Sequence, residues 1–404
     1  MQLVLQLTRD CNLACTYCYQ RHALGPAMSA DVVRRSLDWA LDAGNARVAL
    51  TYFGGEPLLA RDVIEATWPE LRRRGLARGA LVSAKVSTNG TRLDRAFARF
   101  ARETALFVSL SVDGGPEVQD TGRPFVEGRG AESSTSETAR ATRRATPSAS
   151  TNATPSATSG AVERALEHLA AERTPFCAYQ VITPSNARHL DASVAWLFER
   201  GARLFASALA VDQEWTQADF DALQTSYAKL AQRYRRWLAA GERFYLAPFD
   251  AKLDQHTKLA RFKEGACRAG VRQFAIDPEG FLYPCIEFLE SLTFRVGHVE
   301  TGLDRAALRS MWKAHGGERE DACDDCGIRS RCASSCACVN LRTSGESRRA
   351  DAVLCAHERA VALAADELGA ELFAKRERHF LDRQYNPQHG PLEVLEGLFA
   401  EGRT

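Results

Sequence analysis

The first half of the chain alternates between short apolar runs and longer segments in which apolar residues recur at helical spacing. Short apolar runs bounded by turn residues predict strands, and the helical spacing predicts amphipathic helices. The predicted strands cover residues 2–7, 47–53, 81–87, 106–112, 176–182 and 203–209. The predicted helices cover residues 29–43, 60–74, 93–103, 161–172 and 187–200. Alternation of this kind forms a parallel sheet with right-handed crossovers, so we predict an α/β fold, an open, partial (β/α)6 TIM-like barrel.

The pattern changes in the middle of the chain and again in its second half. Residues 131–160 are almost entirely Ser, Thr, Ala, Arg, Glu and Pro, which predicts a disordered insertion; a lid over a substrate is the alternative. Residues 216–240 have the spacing of a long amphipathic helix, and residues 276–283 predict a hairpin. The predicted domains are a barrel over 1–210, a helical bridge over 211–260, a cysteine-rich domain over 261–360, and a helix with a tail over 361–404.

Composition narrows the classes of function. The 404 residues include 52 basic and 51 acidic side chains, a net charge of +1. We therefore expect no positive electrostatic potential that would attract nucleic acid or an anionic membrane. No apolar run of membrane-spanning length and no leader are evident, which predicts a cytoplasmic protein. Twelve cysteines in a reducing compartment are expected to bind metal rather than to form disulfides.

Three of the cysteines lie in one loop directly after the first predicted strand. Cys11, Cys15 and Cys18 are separated by four and three positions, a spacing that can direct three thiolates at one iron–sulfur cluster. A closed site normally takes four protein ligands, so three would leave one metal position open for a small molecule. The alternatives are a zinc loop with its fourth ligand elsewhere and chance clustering.

This loop, with Tyr17 just before the last cysteine, resembles the signature of the radical S-adenosylmethionine (SAM) superfamily. The resemblance implies a [4Fe–4S] cluster whose open iron is chelated by the amino and carboxylate groups of SAM, and it places Tyr17 in the SAM-binding site. It also implies cleavage of SAM to a 5'-deoxyadenosyl radical, with the cofactor supplying the chemistry and the protein the ligation and orientation.

A second loop carries Gly54-Gly55-Glu56-Pro57 after the second predicted strand. The glycines let backbone approach a ligand closely and the proline fixes a turn, which alone makes a generic loop. Beside the cysteine loop it resembles the family's GGEP motif. That resemblance implies that Gly54, Gly55 and Glu56 hold the methionine amino group of SAM.

Polar side chains follow the third and fourth predicted strands. Hydroxyl and amide groups that can bond ribose or a carboxylate are Ser87, Asn89, Ser109 and Ser111. Turn formation is their ordinary alternative. Arg123 lies in a segment that resembles the Asp-x-x-Arg of the peptide-modifying branch, which implies contact with the SAM carboxylate and ribose. Val181 is expected to line either the pocket for the adenine of SAM or the hydrophobic core.

The cysteine-rich half resembles the seven-cysteine pattern of the SPASM domain, matched at every spacing; a pair of zinc sites is the alternative. The resemblance implies two auxiliary [4Fe–4S] clusters. It assigns to the first Cys267, Cys285 and Cys336, and to the second Cys323, Cys326, Cys332 and Cys355. The fourth ligand of the first cluster is left open among Cys338, Cys177, a non-cysteine group and an open position.

The combined resemblance implies a peptide maturase that installs a thioether or carbon–carbon crosslink in a ribosomally made precursor peptide. Its partners would be that peptide, an electron donor such as flavodoxin or ferredoxin, and a separate leader-binding protein. The first alternative is an anaerobic sulfatase-maturing enzyme that forms formylglycine, and the second a non-catalytic iron–sulfur or zinc scaffold. Candidates for the general base are Asp212, Glu214, Asp113 and Tyr283.

Overall fold

The computed structural model describes residues 1–20, 25–126, 157–257, 269–315, 323–332 and 336–386. The strands of the first half are β1 (Gln2–Thr8), β2 (Arg47–Gly54), β3 (Leu81–Thr88), β4 (Phe107–Ser111), β5 (Phe176–Ile182) and β6 (Leu204–Leu209). The helices among them are α1 (Ala30–Asp42), α2 (Arg61–Ala77), α3 (Arg95–Thr104), α4 (Pro116–Gly122), α5 (Thr158–Ala171) and α6 (Leu190–Glu199). Each predicted strand and helix is present, and Ser29 caps α1 by accepting a hydrogen bond from the amide of Val32 at 3.2 Å.

The six strands lie side by side in chain order, and every neighbouring pair is parallel. The sheet stays open, since β1 pairs on its other side with a strand of the second half instead of with β6. This confirms the α/β prediction of a partial barrel. The carboxyl ends of the strands lie at one edge, where loops of this architecture carry function.

Alternation along each strand separates a packed face from a cavity face. Leu3, Leu5 and Leu7 of β1 are fully buried on the face that packs against the helices, whereas Gln2 and Val4 face the barrel interior. Because successive strand residues point to opposite faces, each strand contributes both a core row and an interior row. The core therefore lies between the sheet and its helices, and the interior of the barrel is available to a ligand.

The second half completes the same sheet. The bridge consists of α7 (Gln217–Ala239), β7 (Tyr245–Leu246) and α8 (Ala247–Thr257), and it is followed by β8 (Gln273–Ile276), β9 (Phe281–Tyr283), β10 (Gly297–His298) and β11 (Gly302–Leu303). The remaining helices are α9 (Arg305–Ala314), α10 (Ala337–Ser344), α11 (Ala352–Ala374) and α12 (Arg378–Tyr385).

Strands of both halves share one sheet across the predicted boundary near residue 260. β7 adds parallel to β6, so the bridge is not wholly helical, and β8 adds parallel to β1. The predicted hairpin is β8–β9, which is antiparallel and turns at residues 277–280. The barrel and the cysteine-rich half are thus joined through backbone hydrogen bonds.

The predicted insertion ends earlier than expected. α5 begins at Thr158, whereas residues 131–160 were expected to be disordered. The Asp120 carboxylate accepts hydrogen bonds from the Thr158 hydroxyl at 2.9 Å and from the Ser159 amide and hydroxyl at 2.7 and 2.8 Å. These bonds satisfy the start of the helix and bury both residues. Residues 131–156 of the predicted insertion lie outside the described residues.

The last long helix begins at Ala352, inside the range 261–360 that was predicted as the cysteine-rich domain. Asp351 caps α11 by accepting a hydrogen bond from the amide of Val353 at 2.8 Å, so Cys355 lies in the first turn of the helix. Of the predicted tail, residues 387–404 lie outside the described part of the chain. Among the described helices, none combines the length and the apolar character needed to cross a membrane.

Candidate active site

A cavity of about 950 Å³ occupies the barrel interior and extends to the loops at the carboxyl ends of the strands. The predicted SAM-binding residues that line it are Tyr17, Gly54, Gly55, Ser87, Asn89, Ser109, Ser111, Arg123 and Val181. The cysteines that line it are Cys11, Cys15, Cys18 and Cys336. The fold thus brings residues from five strands or their loops to one cavity. Glu56 is the predicted SAM-binding residue that does not line it.

The cysteine loop is fixed to the segment that contains Arg123. The amide of Ala14 donates to the carbonyl of Pro124 at 2.8 Å, and the amide of Thr16 donates to that of Gly122 at 3.0 Å. A short antiparallel bridge joins Leu13 to the same segment. These bonds hold the three cysteines in place independently of any bound group.

The Gly54-Gly55 pair packs directly against the backbone of the cysteine loop. A Cβ atom on Gly54 would lie 2.3 Å from the carbonyl oxygen of Thr8, and one on Gly55 would lie 2.2 Å from that of Asp10. Gly54 also has a φ of +135°, in the region that favours glycine. The close approach of the two backbones allows a hydrogen bond, in which the Gly55 amide donates to the Thr8 carbonyl at 2.9 Å.

The thiols of this loop are suited to binding a metal, and without one they resist ionisation to thiolates because they are buried. Burial raises the pKa of Cys11 to about 12 and that of Cys15 to about 11. Because only the thiolate is a ligand, a cationic partner such as cluster iron is needed to deprotonate them. The amide of Leu13 already donates to the Cys11 sulfur at 3.4 Å. The donor set fits the iron–sulfur cluster that the sequence predicts.

Glu56 lies behind the cavity wall and holds the neighbouring strand end. Its carboxylate accepts hydrogen bonds from the Leu58 amide at 2.8 Å, the Thr88 hydroxyl at 2.7 Å and the Asn89 amide at 2.7 Å. Burial raises the pKa of Glu56 to about 7, against the lowering effect of these donors. The arrangement assigns Glu56 a positioning role, and its direct contact with SAM stays a prediction.

Arg123 forms the most buried ion pair of the site. Its guanidinium donates two hydrogen bonds to Asp113, at 2.9 and 3.0 Å, and Tyr17 donates to the same carboxylate. Burial disfavours the cation, but Asp113, Tyr17 and Cys15 together outweigh it, and the pKa of Arg123 is raised. The amide of Val181 also donates to Asp113 at 3.0 Å. With these bonds made, Asp113 is a structural partner of Arg123 and a poor candidate for the general base.

Part of the cavity wall, next to Tyr19 at the end of the cysteine loop, comes from the second half of the chain. Arg342 donates to Glu287 at 2.7 Å and also binds Asp212, and all three line the cavity. Burial raises the pKa of Glu287. Asp212 was predicted from the sequence as a candidate base, whereas no local motif marks Arg342 or Glu287. Tyr283 is buried against Asp277 and does not line the cavity.

Glu214, the remaining candidate for the general base, is exposed and does not line the cavity. Of the four candidates, the structure therefore leaves only Asp212 with access to it.

The predicted auxiliary ligands lie in several elements of the second half. Cys285, Cys336 and Cys338 pack in one buried cluster, whereas Cys177 lies on β5 of the barrel. Cys267 lies outside the described residues. The ligands predicted for the second auxiliary cluster are among the described residues: Cys323, Cys326, Cys332 and Cys355. Within the described ranges, no three His, Cys, Asp or Glu side chains surround a single metal ion. A cluster does not require that arrangement, because its cysteines bind separate irons.

Residues 5–154 match the model described as the Radical SAM superfamily. The matched range contains the cysteine loop, the Gly-Gly-Glu-Pro loop and Arg123.

Single proteins resemble the chain over most of its length. A cysteine-type anaerobic sulfatase-maturating enzyme of Clostridium perfringens is 23% identical over 361 residues, which cover 83% of this chain and 88% of that enzyme. Among solved structures, native anSMEcpe with bound AdoMet and the Cp18Cys peptide superposes with a TM-score of 0.69 at 20% identity, over 93% of this chain and 97% of that one. Streptococcus suis SuiB bound to its precursor peptide SuiA superposes with a TM-score of 0.56 at 15% identity, over 88% and 75%. At these identities the structures establish a shared fold.

Proposed function

Since the amino-terminal part of this chain is a radical SAM domain, we propose that the protein is a SAM-dependent enzyme that oxidises a side chain of a peptide or protein. The observation that carries the proposal is a cavity that reaches the carboxyl edge of the sheet. Three cysteines and the predicted SAM-binding residues line it together. The space beyond them is walled by the cysteine-rich half of the chain, which suits a site shared by cofactor and substrate.

In this proposal the residues of the chain bind and orient the cofactor. Cys11, Cys15 and Cys18 would hold a [4Fe–4S] cluster, and Arg123, fixed by Asp113, would bind the carboxylate or ribose of SAM. The cluster and SAM, when bound, supply the electron and the radical that removes hydrogen from the substrate.

The cysteine-rich half would hold the two auxiliary clusters that its spacing predicts. The packing of Cys338 with Cys285 and Cys336 favours it over Cys177 as the fourth ligand of the first cluster. Cys336 also lines the active-site cavity, so this cluster would lie close enough to the substrate to accept an electron from it.

Two substrate classes follow from the relatives. SuiB was solved with a precursor peptide, which supports oxidative crosslinking of a ribosomal peptide. The sulfatase-maturating relative matches in sequence over 83% of this chain and 88% of its own length, which supports formylglycine formation as the second candidate. Both classes place a peptide segment in the cavity, so the proposal of a peptidyl side chain is common to them.

The test is anaerobic reconstitution with iron and sulfide, followed by incubation with SAM, a reductant and two kinds of peptide. The first kind comes from small reading frames encoded beside this protein, and the second from the active-site segments of Cys-type and Ser-type sulfatases. Loss of two hydrogens from a neighbouring peptide supports crosslinking, whereas replacement of the sulfatase thiol or alcohol by an aldehyde supports maturation.

The variants are Cys15→Ala and, as a matched control, Cys177→Ala. We expect Cys15→Ala to abolish deoxyadenosine formation, because the cluster loses one of its three ligands. Cys177→Ala should retain deoxyadenosine formation, since Cys177 lies apart from both cysteine groups. SAM cleavage that persists in Cys15→Ala, or no SAM cleavage by the reconstituted wild type, would contradict the proposal.

A further inference from the structure

Three polar side chains that line the active-site cavity have no hydrogen-bond partner in the part of the chain that the structure describes. The phenols of Tyr19 and Tyr179 form no hydrogen bond with a described residue, and these residues are 40% and 37% exposed. The side-chain nitrogen of Gln20 is buried and likewise has no partner among the described residues. All three residues line the cavity, and we call them the donor triad. Since buried polar groups are normally paired, unpaired donors along one cavity indicate where a ligand supplies the acceptors.

The donor triad lies where the cysteine loop meets the cysteine-rich half of the chain. Tyr19 and Gln20 directly follow Cys18. The Arg342 guanidinium lies 5.4 Å from the centroid of the Tyr19 ring, and the Glu287 carboxylate is an electrostatic neighbour of both tyrosines. Arg342 and Glu287 both come from the second half of the chain. The triad therefore lies on the side of the cavity where the proposed function places the peptide.

Tyr179 enters the cavity from β5. It lies on the interior face together with Val181, because side chains alternate along a strand. Its partners in register are Ser111 of β4 and Ala206 of β6. Both neighbours are small, so they leave the ring of Tyr179 room to extend into the cavity. The phenol oxygen is therefore available to a ligand.

The surroundings of the donor triad are partly apolar and hold the Tyr19 ring in place. Arg342, which contacts that ring, is itself fixed by Glu287 at 2.7 Å and by a second carboxylate, that of Asp212. The apolar side chains of Ile286 and Val339 line the same cavity. Uncharged donors on a partly apolar wall suit the carbonyl oxygens of a peptide main chain, which carry no net charge and accept such bonds.

We propose that the donor triad binds main-chain carbonyl groups of the substrate peptide beside the residue that is modified. The proposal rests on the proposed function in taking the ligand to be a peptide. The carboxylate of SAM is the other source of acceptor oxygens, and the resemblance assigns it to Arg123. Because the acceptors belong to the main chain, the triad would hold peptides whose neighbouring side chains differ.

The first test measures access to the two phenols without any turnover. The reconstituted holoenzyme is treated anaerobically with a trace of N-acetylimidazole, and acetylation of each tyrosine is quantified by mass spectrometry. The additions compared are none, SAM alone, and SAM with acetyl-pentaglycine-amide, a peptide that offers carbonyl groups and no side chains. Tyr385, which is 50% exposed on α12 and does not line the cavity, is the internal control in every sample.

We expect the pentaglycine peptide at saturation to slow acetylation of Tyr19 and Tyr179 about fivefold or more relative to Tyr385. In Tyr179→Phe, which removes only the hydroxyl, the peptide concentration that gives half protection of Tyr19 should rise about fivefold, the effect of one neutral hydrogen bond. No protection of the wild type, or an unchanged half-protection concentration in the variant, would overturn the proposal. Full protection by SAM alone would overturn it as well, because the phenols would then serve the cofactor.

The second test uses a peptide that the wild type modifies. Tyr19→Phe and Tyr179→Phe should each raise the KM for that peptide about fivefold, whereas the KM for SAM should stay at the wild-type value. Tyr385→Phe is the matched control and should alter neither KM. A wild-type KM for the peptide in both variants of the triad contradicts binding of the main chain by the phenols. A wild type that modifies no peptide contradicts the proposed function and leaves the acetylation result standing.

Discussion

Gly54 and Gly55 act on the cysteine loop through contact of backbone with backbone. The sequence suggests that these glycines make room for a ligand, and their place in the cavity lining agrees with that expectation. The structure adds a second reason, because the carbonyl groups of Thr8 and Asp10 occupy the positions that Cβ atoms would need. A methyl group at either position would displace the loop that carries Cys11.

Gly55→Ala should therefore impair cluster assembly. A Cβ atom 2.2 Å from the Asp10 carbonyl oxygen cannot be accommodated without a backbone shift. We expect the iron and sulfide retained after anaerobic reconstitution to fall by roughly the content of one cluster of the three predicted. Gly25→Ala is the control, since nothing lies within 4 Å of a Cβ atom there. Wild-type iron content in Gly55→Ala would show that the loop adapts.

At this scale the sequence identifies residues that belong to local motifs and misses those that act across the chain. Cys11, Gly54 and Arg123 are found from their neighbours in sequence. Arg342 and Glu287 reach the cavity from separate elements of the second half, and their pairing depends on how α10 packs. Such a contact leaves no spacing in the sequence to detect.

Among the elements, α5 shows how a distant side chain sets a helix boundary. Ala157, at its N-cap position, offers no side-chain acceptor, and Asp120 of α4 takes over that role from 37 or more positions away in sequence. Periodicity locates the body of this helix but not its first turn. The composition of residues 157–160 matches the preceding low-complexity segment, which is why the predicted boundary was wrong.

Asp120→Ala should loosen the first turn of α5 without changing the rest of the barrel. Loss of the three hydrogen bonds to Thr158 and Ser159 is expected to lower the free energy of unfolding by about 1–2 kcal/mol. Hydrogen–deuterium exchange should increase in residues 158–162. Glu117→Ala on the exposed side of α4 is the matched control and should exchange like the wild type. Unchanged protection in Asp120→Ala would mean that packing alone fixes the helix.

At the scale of the whole molecule, a buried ion pair joins the bridge to the last long helix. Lys252 of α8 donates to Glu358 of α11 at 2.6 Å and to the carbonyl of Arg331 at 2.6 Å. The Lys252 side chain is 6% exposed and that of Glu358 11%. Arg331 directly precedes Cys332, so the pair also fixes a segment that carries predicted cluster ligands.

Lys252→Met should destabilise the protein strongly, because it leaves the Glu358 carboxylate buried without its cation. We expect a loss of about 3–5 kcal/mol in the free energy of unfolding by urea, and recovery of much of it in the double variant Lys252→Met/Glu358→Leu. The exposed pair of Lys375 and Glu371 provides the comparison, and Lys375→Met should cost less than about 1 kcal/mol. Equal losses in the two single lysine variants would contradict the argument from burial.

The order and type of the elements of the barrel were predictable, because hydrophobic periodicity in each strand and helix is a local property. The connections at the two edges of the sheet were not. β7 and β8 are short, and their pairing with β6 and β1 depends on where the chain returns after long connections. The predicted domain boundary near residue 260 therefore marks a change in the sequence pattern, whereas the sheet continues across it.

The pairing of β1 with β8 has a consequence for anyone who would recombine this protein. An excised fragment ending in the bridge would leave the backbone groups of residues 2–5 unsatisfied along a bare apolar edge, a template for aggregation. A chimera meant to acquire a new carboxyl-terminal half should keep residues 273–276 with the amino-terminal half, and place its crossover after the hairpin.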